Sequence, residues 1–323
     1  MAVTRNDVAR RAGVSPGLVS YVLNGGPRPV SADARARIEA AMEELGYRRD
    51  GVARFLRTGK TNSLGLVLPD IALPYFAEIT KELNARAFDA GFQLLIATTE
   101  FDVQRERDQL ESLAERRVDG IILMSVEPEQ DFSSLEQLGT RVAVIDRPEF
   151  AVNSARAETA HLIEHGHTRI GFIGGGGLAR VSNRRQLGWS RALESAGLEH
   201  REAWIVSAEL TRAGGQSAAL HLLASKEPEE RPSALLVESD AQACGVLRAA
   251  RDLGLDVPGD LAVVTSEGTD LAAFTVPSLT SIAQPVRTIA RDAVNAVLGE
   301  GPERVLRINN LDFELVLRES CGH

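Results

Sequence analysis

The sequence predicts a two-part fold class, an all-α helix-turn-helix head followed by a larger α/β body. Residues 6–24 contain two short helical patterns joined by a turn with a glycine. From Asn62 onward, short apolar runs alternate with helical patterns, which is typical of parallel sheets covered by helices. Charge divides in the same way, because residues 1–60 hold 11 Lys and Arg against 6 Asp and Glu while the remainder holds 25 against 39. A basic head on an acidic body suits a protein whose head alone meets phosphate, although charge by itself does not exclude a chance excess.

The head begins with clear helix signals. Thr4 and Asp7 form a capping-box pattern that starts the first helix. Gly13 ends that helix, because glycine adopts the left-handed turn conformation at little cost. Ser15 is a good N-cap and Pro16 a good first helical residue, so a second helix follows at once. In helix-turn-helix proteins this second helix enters the DNA major groove.

A third helix completes the head over residues 1–47. Ser31 caps it, and it runs to about Leu45 before Gly46 ends it. Residues 48–61 then connect the head to the body, and they are too short to hold an isolated helix in water. Two interpretations stay open for this segment: a hinge that becomes helical only when it docks, or a flexible linker.

Seven apolar runs in the body have the length and composition of buried strands. They are 64–68, 92–97, 120–124, 142–145, 169–173, 234–237 and 261–264. Helical patterns lie between most of them, at 75–90, 103–117, 157–165, 184–196, 213–225, 240–253 and 286–298. A body spanning 62–323 is long enough to form two lobes.

Composition argues against several other classes of protein. Cys244 and Cys321 are the only cysteines, which fits a reducing compartment rather than a disulfide framework. No apolar run reaches the length of a membrane-spanning helix, and the N-terminus lacks an apolar leader. We therefore expect a cytoplasmic, nucleoid-associated protein with no membrane partner.

One glycine pattern resembles a dinucleotide fingerprint. Gly174, Gly176 and Ala179 satisfy G-x-G-x-x-A after a strand, with Glu194 further on. The residues that follow (RVSNRR) do not open a clean helix, which favours a glycine-rich turn over a cofactor site. We expect no cofactor.

A histidine group has spacing like that of metal ligands. It consists of His161, His165 and His167, and no acidic or cysteine partner completes a ligand set. Polar surface and helix C-terminal caps are the favoured interpretation. No G-x-S-x-G, Walker or H-E-x-x-H motif occurs, so we expect no metal and no catalytic site.

Three stretches in the same order resemble the LacI/GalR family of bacterial transcription regulators. The first two are DVARRAGVSPGLVSYVLNG (7–25) and VSADARARIEAAMEELGYRRDGVARFLRTGKTNSLGLVLPDIALPYFAEI (30–79). The third is a later set that includes HLIEHGHTRIGFIGG, RRQLGWSRALESAG and PSLTSI. The resemblance implies a DNA-binding head, a hinge helix within 48–61, and a type I periplasmic-binding-protein-like body of two Rossmann-like lobes. Lobe 1 would span about 62–150 and 285–302, and lobe 2 about 151–284 and 303–318.

The resemblance also implies DNA-contacting residues. On the head they are Thr4, Ser15, Pro16, Gly17, Ser20, Tyr21, Asn24 and Arg28; on the hinge they are Arg54, Leu56 and Arg57. Leu56 matches the leucine that wedges into the minor groove and kinks the duplex. Many relatives carry larger polar side chains at Pro16 and Gly17, so we expect direct base contacts to be sparser here.

For a ligand, the resemblance indicates a cleft between the lobes. Its expected residues are Tyr75, Phe76, Asp146, Arg185, Asp240 and Glu267. An aromatic ring with an arginine and carboxylates suits a polyhydroxylated effector, such as a sugar or related polyol. The segment between Asp146 and His161 is shorter than in relatives and lacks an expected crossing strand. A cleft that binds no small molecule is the alternative.

The sequence thus predicts a sequence-specific repressor that binds a near-palindromic operator in double-stranded DNA as a homodimer. A small-molecule effector would control its operator affinity, and whether it acts as inducer or corepressor stays open, as does dimer versus tetramer. A sugar-binding carrier and an α/β enzyme with an appended helix-turn-helix are the rival interpretations. The basic head argues against the first, and the lack of a catalytic motif against the second.

Overall fold

The computed structural model describes most of the chain as two compact units, residues 1–61 and 62–323. The described residues are 3–24, 29–48, 55, 59–127, 129–176, 179–223, 227, 230–309 and 312–322, without the side chains of 24, 179 and 180. Within these residues, no helix has the length and apolar character needed to cross a membrane.

The head contains three helices: α1 (Arg5–Ala12), α2 (Pro16–Asn24) and α3 (Ala32–Leu45). The predicted caps are confirmed. Thr4 N donates to Asp7 Oδ2 at 2.9 Å, and Ser15 Oγ accepts from the amide of Leu18 at 3.2 Å. Gly13 has φ +65°, so the turn uses the left-handed conformation that glycine permits.

A small apolar core joins the three helices of the head. Val8 of α1, Val19 of α2 and Ile38 of α3 are each fully buried and belong to one cluster. Each of the three helices contributes a side chain to this core. Packing and the helix caps together therefore fix the geometry of the loop between α1 and α2.

The body contains eleven strands and nine further helices among the described residues. The strands are β1 (Ser63–Leu68), β2 (Gln93–Thr98), β3 (Gly120–Leu123), β4 (Val142–Ile145), β5 (Ile170–Gly175), β6 (Ile205–Ala208), β7 (Ala234–Val237), β8 (Ala262–Thr265), β9 (Thr280–Ala283), β10 (Val305–Ile308) and β11 (Glu314–Val316). The helices are α4 (Pro74–Asp89), α5 (Val103–Glu115), α6 (Ser133–Gln137), α7 (Pro148–Glu164), α8 (Ala179–Ser195), α9 (Arg212–Leu223), α10 (Asp240–Asp252), α11 (Asp270–Ala273) and α12 (Val286–Leu298). Short 3₁₀ turns lie at Glu202–Trp204 and Glu319–Cys321.

The strands form two sheets, one in each lobe of the body. The first has the order β10-β4-β3-β1-β2 and is parallel throughout. The second has the order β11-β9-β8-β7-β5-β6, in which only β11 runs antiparallel. Apolar clusters pack on both faces of each sheet, which explains why the central strands are continuous apolar runs.

Two expectations about the lobes need correction. The segment 303–318 does not belong wholly to lobe 2, because β10 pairs with β4 in the first sheet, with Val305 opposite Val142. Only the later part, with β11, joins the second sheet. The helix expected at 157–165 instead begins at Pro148, directly after β4, so the segment 147–160 holds helix and no crossing strand.

Candidate DNA-binding surface and ligand cavity

The second helix of the head presents an exposed face. Ser15, Pro16 and Gly17 are exposed at its start, and Ser20 and Tyr21 are half-buried, whereas Val19 is fully buried against α1 and α3. A Cβ added at Gly17 would meet only Ser15 Oγ, at 3.8 Å, so a side chain there would have room. The predicted major-groove face is thus free of the head's own core.

The remaining predicted DNA contacts are not all described. Thr4 is exposed, and its side chain is engaged in the α1 cap. The side chain of Asn24, and the residues Arg28, Arg54, Leu56 and Arg57, lie outside the described residues. Their DNA contacts, and the hinge helix, stay predictions.

The body has a cavity of about 110 Å³ at the carboxyl ends of its parallel strands. This position is where open α/β sheets bind ligands. The lining residues are Pro69, Tyr75, Phe76, Met124, Ser125, Ile145, Asp146, Arg147, Phe150, Ala151, Val181, Arg184, Arg185, Leu210, Glu238, Glu267 and Gln284.

Five of the six predicted effector residues line this cavity. They are Tyr75, Phe76, Asp146, Arg185 and Glu267. Asp240 does not line it. Its fully buried carboxylate accepts hydrogen bonds from Thr265 Oγ1, from Thr269 Oγ1 at 2.6 Å and from the amide of Thr269 at 2.7 Å. Asp240 therefore positions the end of β8 and the loop after it, because its carboxylate oxygens accept hydrogen bonds from Thr265 and Thr269.

Several lining residues were missed by sequence reasoning. Arg147 and Arg184 each stand next to a predicted residue, and Glu238 directly follows β7. Gln284 directly follows β9 and Phe150 lies in the first turn of α7. The position of a polar residue just after a strand was the available signal, since strand ends converge at one edge.

One wall of the cavity is aromatic and apolar. The rings of Tyr75 and Phe76 meet edge to face, with centroids 5.6 Å apart and planes at 62°. The Arg147 guanidinium lies over the Phe150 ring, 4.0 Å from its centroid, and its Nη2 donates to Tyr75 Oη at 3.3 Å. Burial is the main cause that raises the pKa of Tyr75 above its ordinary value, so its hydroxyl stays protonated near neutral pH.

A buried arginine forms the centre of the polar wall. Arg185 is 5% exposed, and its Nε lies 3.8 Å from Glu238 Oε1. Glu238 Oε2 accepts the amide of Gly175 at 2.7 Å. Burial raises the pKa of Glu238, and Arg185 and the Gly175 amide oppose that rise. A second arginine, Arg184, pairs with Asp146 at 3.0 Å.

Burial raises the pKa of two further carboxyl groups near Arg185. Burial raises the pKa of Glu158 to about 8, and Ser266 Oγ donates to its Oε2 at 2.9 Å. Glu267 Oε2 accepts the amide of Asp240 at 3.0 Å. Burial first and then the Asp240 carboxylate raise the pKa of Glu267 well above its ordinary value. Near neutral pH Glu158 therefore adds little negative charge beside Arg185.

The glycine pattern serves packing at this same edge. A Cβ at Gly174 would collide with Ser182 Oγ of α8, and the amide of Gly175 already donates to Glu238. The expectation that no clean helix follows was wrong, because α8 begins at Ala179. The amide of Gly175, which a bound phosphate would need as a donor, is nevertheless already bonded to the carboxylate of Glu238.

The histidine group is partly buried rather than a polar surface. His161 is buried with Nε2 3.3 Å from Cys321 Sγ, which corrects the surface interpretation. His165 Nδ1 lies 2.8 Å from the His161 carbonyl oxygen at the end of α7, as a C-terminal cap would. His167 Nδ1 lies 3.1 Å from Ser233 Oγ. In the described part of the chain, no three His, Cys, Asp or Glu side chains could hold a metal ion together.

Comparison with known proteins agrees with both units. Residues 4–50 match "Bacterial regulatory proteins, lacI family", and residues 159–321 match "Periplasmic binding protein-like domain". The chain is 32% identical to the HTH-type transcriptional regulator DegA of Bacillus subtilis (strain 168), covering 100% of this chain and 99% of DegA. It is also 32% identical to the ribose operon repressor of Escherichia coli (strain K12), covering 98% of each. The lac repressor dimer bound to operator and the anti-inducer ONPF superposes with TM-score 0.86 at 25% identity, covering 99% of each chain.

A helix-turn-helix head and a two-lobed body with a ligand cavity, joined in one chain, define a class of DNA-binding regulators that respond to small molecules. The chain belongs to the LacI family of bacterial regulatory proteins. It is a sequence-specific DNA-binding transcriptional regulator.

Proposed function

We propose that the protein is a homodimeric repressor that releases a near-palindromic operator when a sugar or related polyol occupies the body cavity. The observation that carries this proposal is the cavity itself, where aromatic and apolar side chains face Arg185 and Asp146. Ring faces stack on the apolar face of a polyol, while arginine and carboxylate groups bind its hydroxyls. The protein acts on DNA in the cytoplasm, in the nucleoid, and binds its effector without chemically changing it.

Exposed apolar side chains on the first lobe support a homodimer. Phe88 of α4 is 69% exposed, and Leu95 and Ile96 of the edge strand β2 are 41% and 45% exposed. Large apolar side chains clustered at a sheet edge favour burial against another surface. A second copy of the chain would bury them, and would set two heads on two halves of an inverted repeat.

Control of DNA binding follows from differential affinity. The effector binds one arrangement of the two lobes more tightly than the other, and it therefore shifts their equilibrium. In the effector-bound arrangement the paired hinges no longer fold on the minor groove, and the operator is released. An effector that strengthened operator binding would reverse the sign of this coupling and leave the cavity's role intact.

The experiment that tests the proposal joins two measurements. Thermal-shift screening of the full chain with sugars and polyols finds a ligand, because a compound that binds the folded state raises its melting temperature. That ligand is then added to a gel shift with DNA from upstream of the protein's own gene. We expect a retarded band that disappears as ligand is added. A stabilising ligand that leaves the band unchanged would contradict the proposed control.

A further inference from the structure

The arginines of the cavity are incompletely paired with carboxylates among the described residues. Asp146 is shared by two arginines, with Oδ1 3.0 Å from Arg184 Nη1 and Oδ2 3.3 Å from Arg307 Nη1. Arg185 faces Glu238, but the 3.8 Å between Nε and Oε1 is too long for a hydrogen bond. Arg147 has no salt bridge to a carboxylate among the described residues.

Arg147 lines the cavity and has free donor capacity. Arg147 contacts Tyr75 Oη and Gln284 Oε1, both uncharged groups, while its buried Nη1 has no acceptor in the described protein. The buried Nε of Arg185 also lacks an acceptor. A buried guanidinium N–H without an acceptor is costly, and an anionic oxygen is the acceptor that satisfies it best.

A helix terminus adds to this positive field. α7 begins at Pro148, and Phe150 and Ala151 of its first turn line the cavity. Its N-cap, Arg147, provides no side-chain acceptor for the first amides of the helix. The positive end of the 17-residue helix α7 therefore lies beside Arg147. Arg147 and Arg185 line the same cavity. Burial, and after it the charge of Arg185, lower the pKa of Arg147.

We infer that the effector is an acidic sugar derivative, whose carboxylate or phosphate binds between Arg147 and Arg185 at the start of α7. This inference rests on the proposed function, because it names the chemical class of that same effector. The remaining hydroxyls of the ligand would face Asp146 and Gln284, and its apolar face would lie against Tyr75 and Phe76. A neutral sugar would leave Arg147 Nη1 and Arg185 Nε without an anionic partner.

The test uses the full chain and probes that differ only in charge. Thermal shift and calorimetry compare glucose with glucuronate and glucose 6-phosphate at constant ionic strength set with chloride. Acetate and inorganic phosphate serve as minimal probes for the two anionic groups. We expect saturable stabilisation by the probes of one anionic group, carboxylate or phosphate, and none by glucose. If the carboxylate probes bind more tightly, the effector carries a carboxylate; if the phosphate probes do, it carries a phosphate.

Three variants test whether Arg147 binds the anionic group of the ligand. Arg147→Gln should weaken anion binding about tenfold to a hundredfold, as loss of a charged hydrogen bond does. Arg147→Lys should recover part of the binding, because it keeps the positive charge. Arg248→Gln, at an exposed residue of α10 paired with Asp252, makes the same charge change and should bind like the unaltered protein.

Failure of this inference is distinguishable from failure of the proposed function. Saturable binding of glucose together with no response to either kind of anion overturns the inference, and if glucose also releases the operator the proposed function stands. Equal anion binding by the unaltered protein and by Arg147→Gln overturns it as well, as does the absence of saturable binding by every anionic probe. A protein that binds anions as expected but retards no upstream DNA would contradict the proposed function alone.

Discussion

Glu158 provides a quantitative test of the buried charge network beneath the cavity. It is fully buried, its Oε1 has no hydrogen-bond partner, and burial raises its pKa from 4.5 to about 8. The folded protein therefore keeps a proton on Glu158 that the unfolded chain releases above pH 4.5. The free energy of unfolding is then highest below the unfolded pKa, and this contribution is lost as pH rises through the folded pKa.

The magnitude follows from the width of that window. The pKa difference corresponds to about 5 kcal/mol in total at 1.36 kcal/mol per pH unit. Between pH 5.5 and 7.5, Glu158 should lower the free energy of unfolding by about 2 to 3 kcal/mol. Glu158→Gln removes the titrating group and keeps an acceptor for Ser266 Oγ, so its stability should fall less steeply over the same range.

The assay is urea unfolding at a fixed protein concentration at pH 5.5, 6.5 and 7.5. The two tryptophans, Trp189 and Trp204, are both buried in the second lobe, so their fluorescence reports on the body. Glu111→Gln, at an exposed residue of α5, is the control and should keep the pH slope of the unaltered protein. An identical slope for Glu158→Gln and the unaltered protein would refute the reasoning.

Three other substitutions separate the roles assigned to individual residues. Leu56→Ala should lose specific operator affinity and keep non-specific binding in an anisotropy titration, because it removes the minor-groove wedge; equal loss of both would refute that role. Arg185→Ala should abolish the effector response while operator binding survives, and an unaltered response in the gel shift would remove Arg185 from the effector site. Asp240→Asn should lower body stability by about 1 to 3 kcal/mol in thermal denaturation, because the loop after β8 loses a charged acceptor, with ligand affinity little changed. Lost affinity without lost stability would return Asp240 to the ligand site.

Most strands that the sequence predicted are buried, and most of those it missed are half-exposed; β2 is a predicted strand that lies half-exposed at a sheet edge, because its sequence QLLIAT is still an apolar run. β3, β4, β7 and β8 are buried along their whole length, so each is a continuous apolar run. β6, β10 and β11 are half-exposed strands at sheet edges, and their sequences IVSA, VLRI and ELV carry no such run. β9 is buried but reads TSIA, because its polar groups bond to neighbouring loops.

The effector residues were predicted through the resemblance to the LacI/GalR family, which does not show what each side chain pairs with. Tyr75 and Arg185 were predicted in this way, and both line the cavity. Asp240 was predicted in the same way, yet its carboxylate binds the Thr269 loop instead. Arg147 became visible only when α7 was found to begin at Pro148, since that start places its guanidinium over Phe150. Partners distant in sequence decide whether a charged side chain binds ligand or supports a loop.

The most direct test of DNA recognition by this regulator is an anisotropy titration on an inverted repeat selected from genomic DNA by the purified full chain. The comparison duplex has the same base composition in shuffled order, and both are measured at about 50 and 200 mM salt. We predict affinity for the inverted repeat at least about a thousandfold higher than for the shuffled duplex. Affinity for both should fall as salt rises, because Lys and Arg release counterions from phosphate. Equal affinity for the two duplexes would contradict the account.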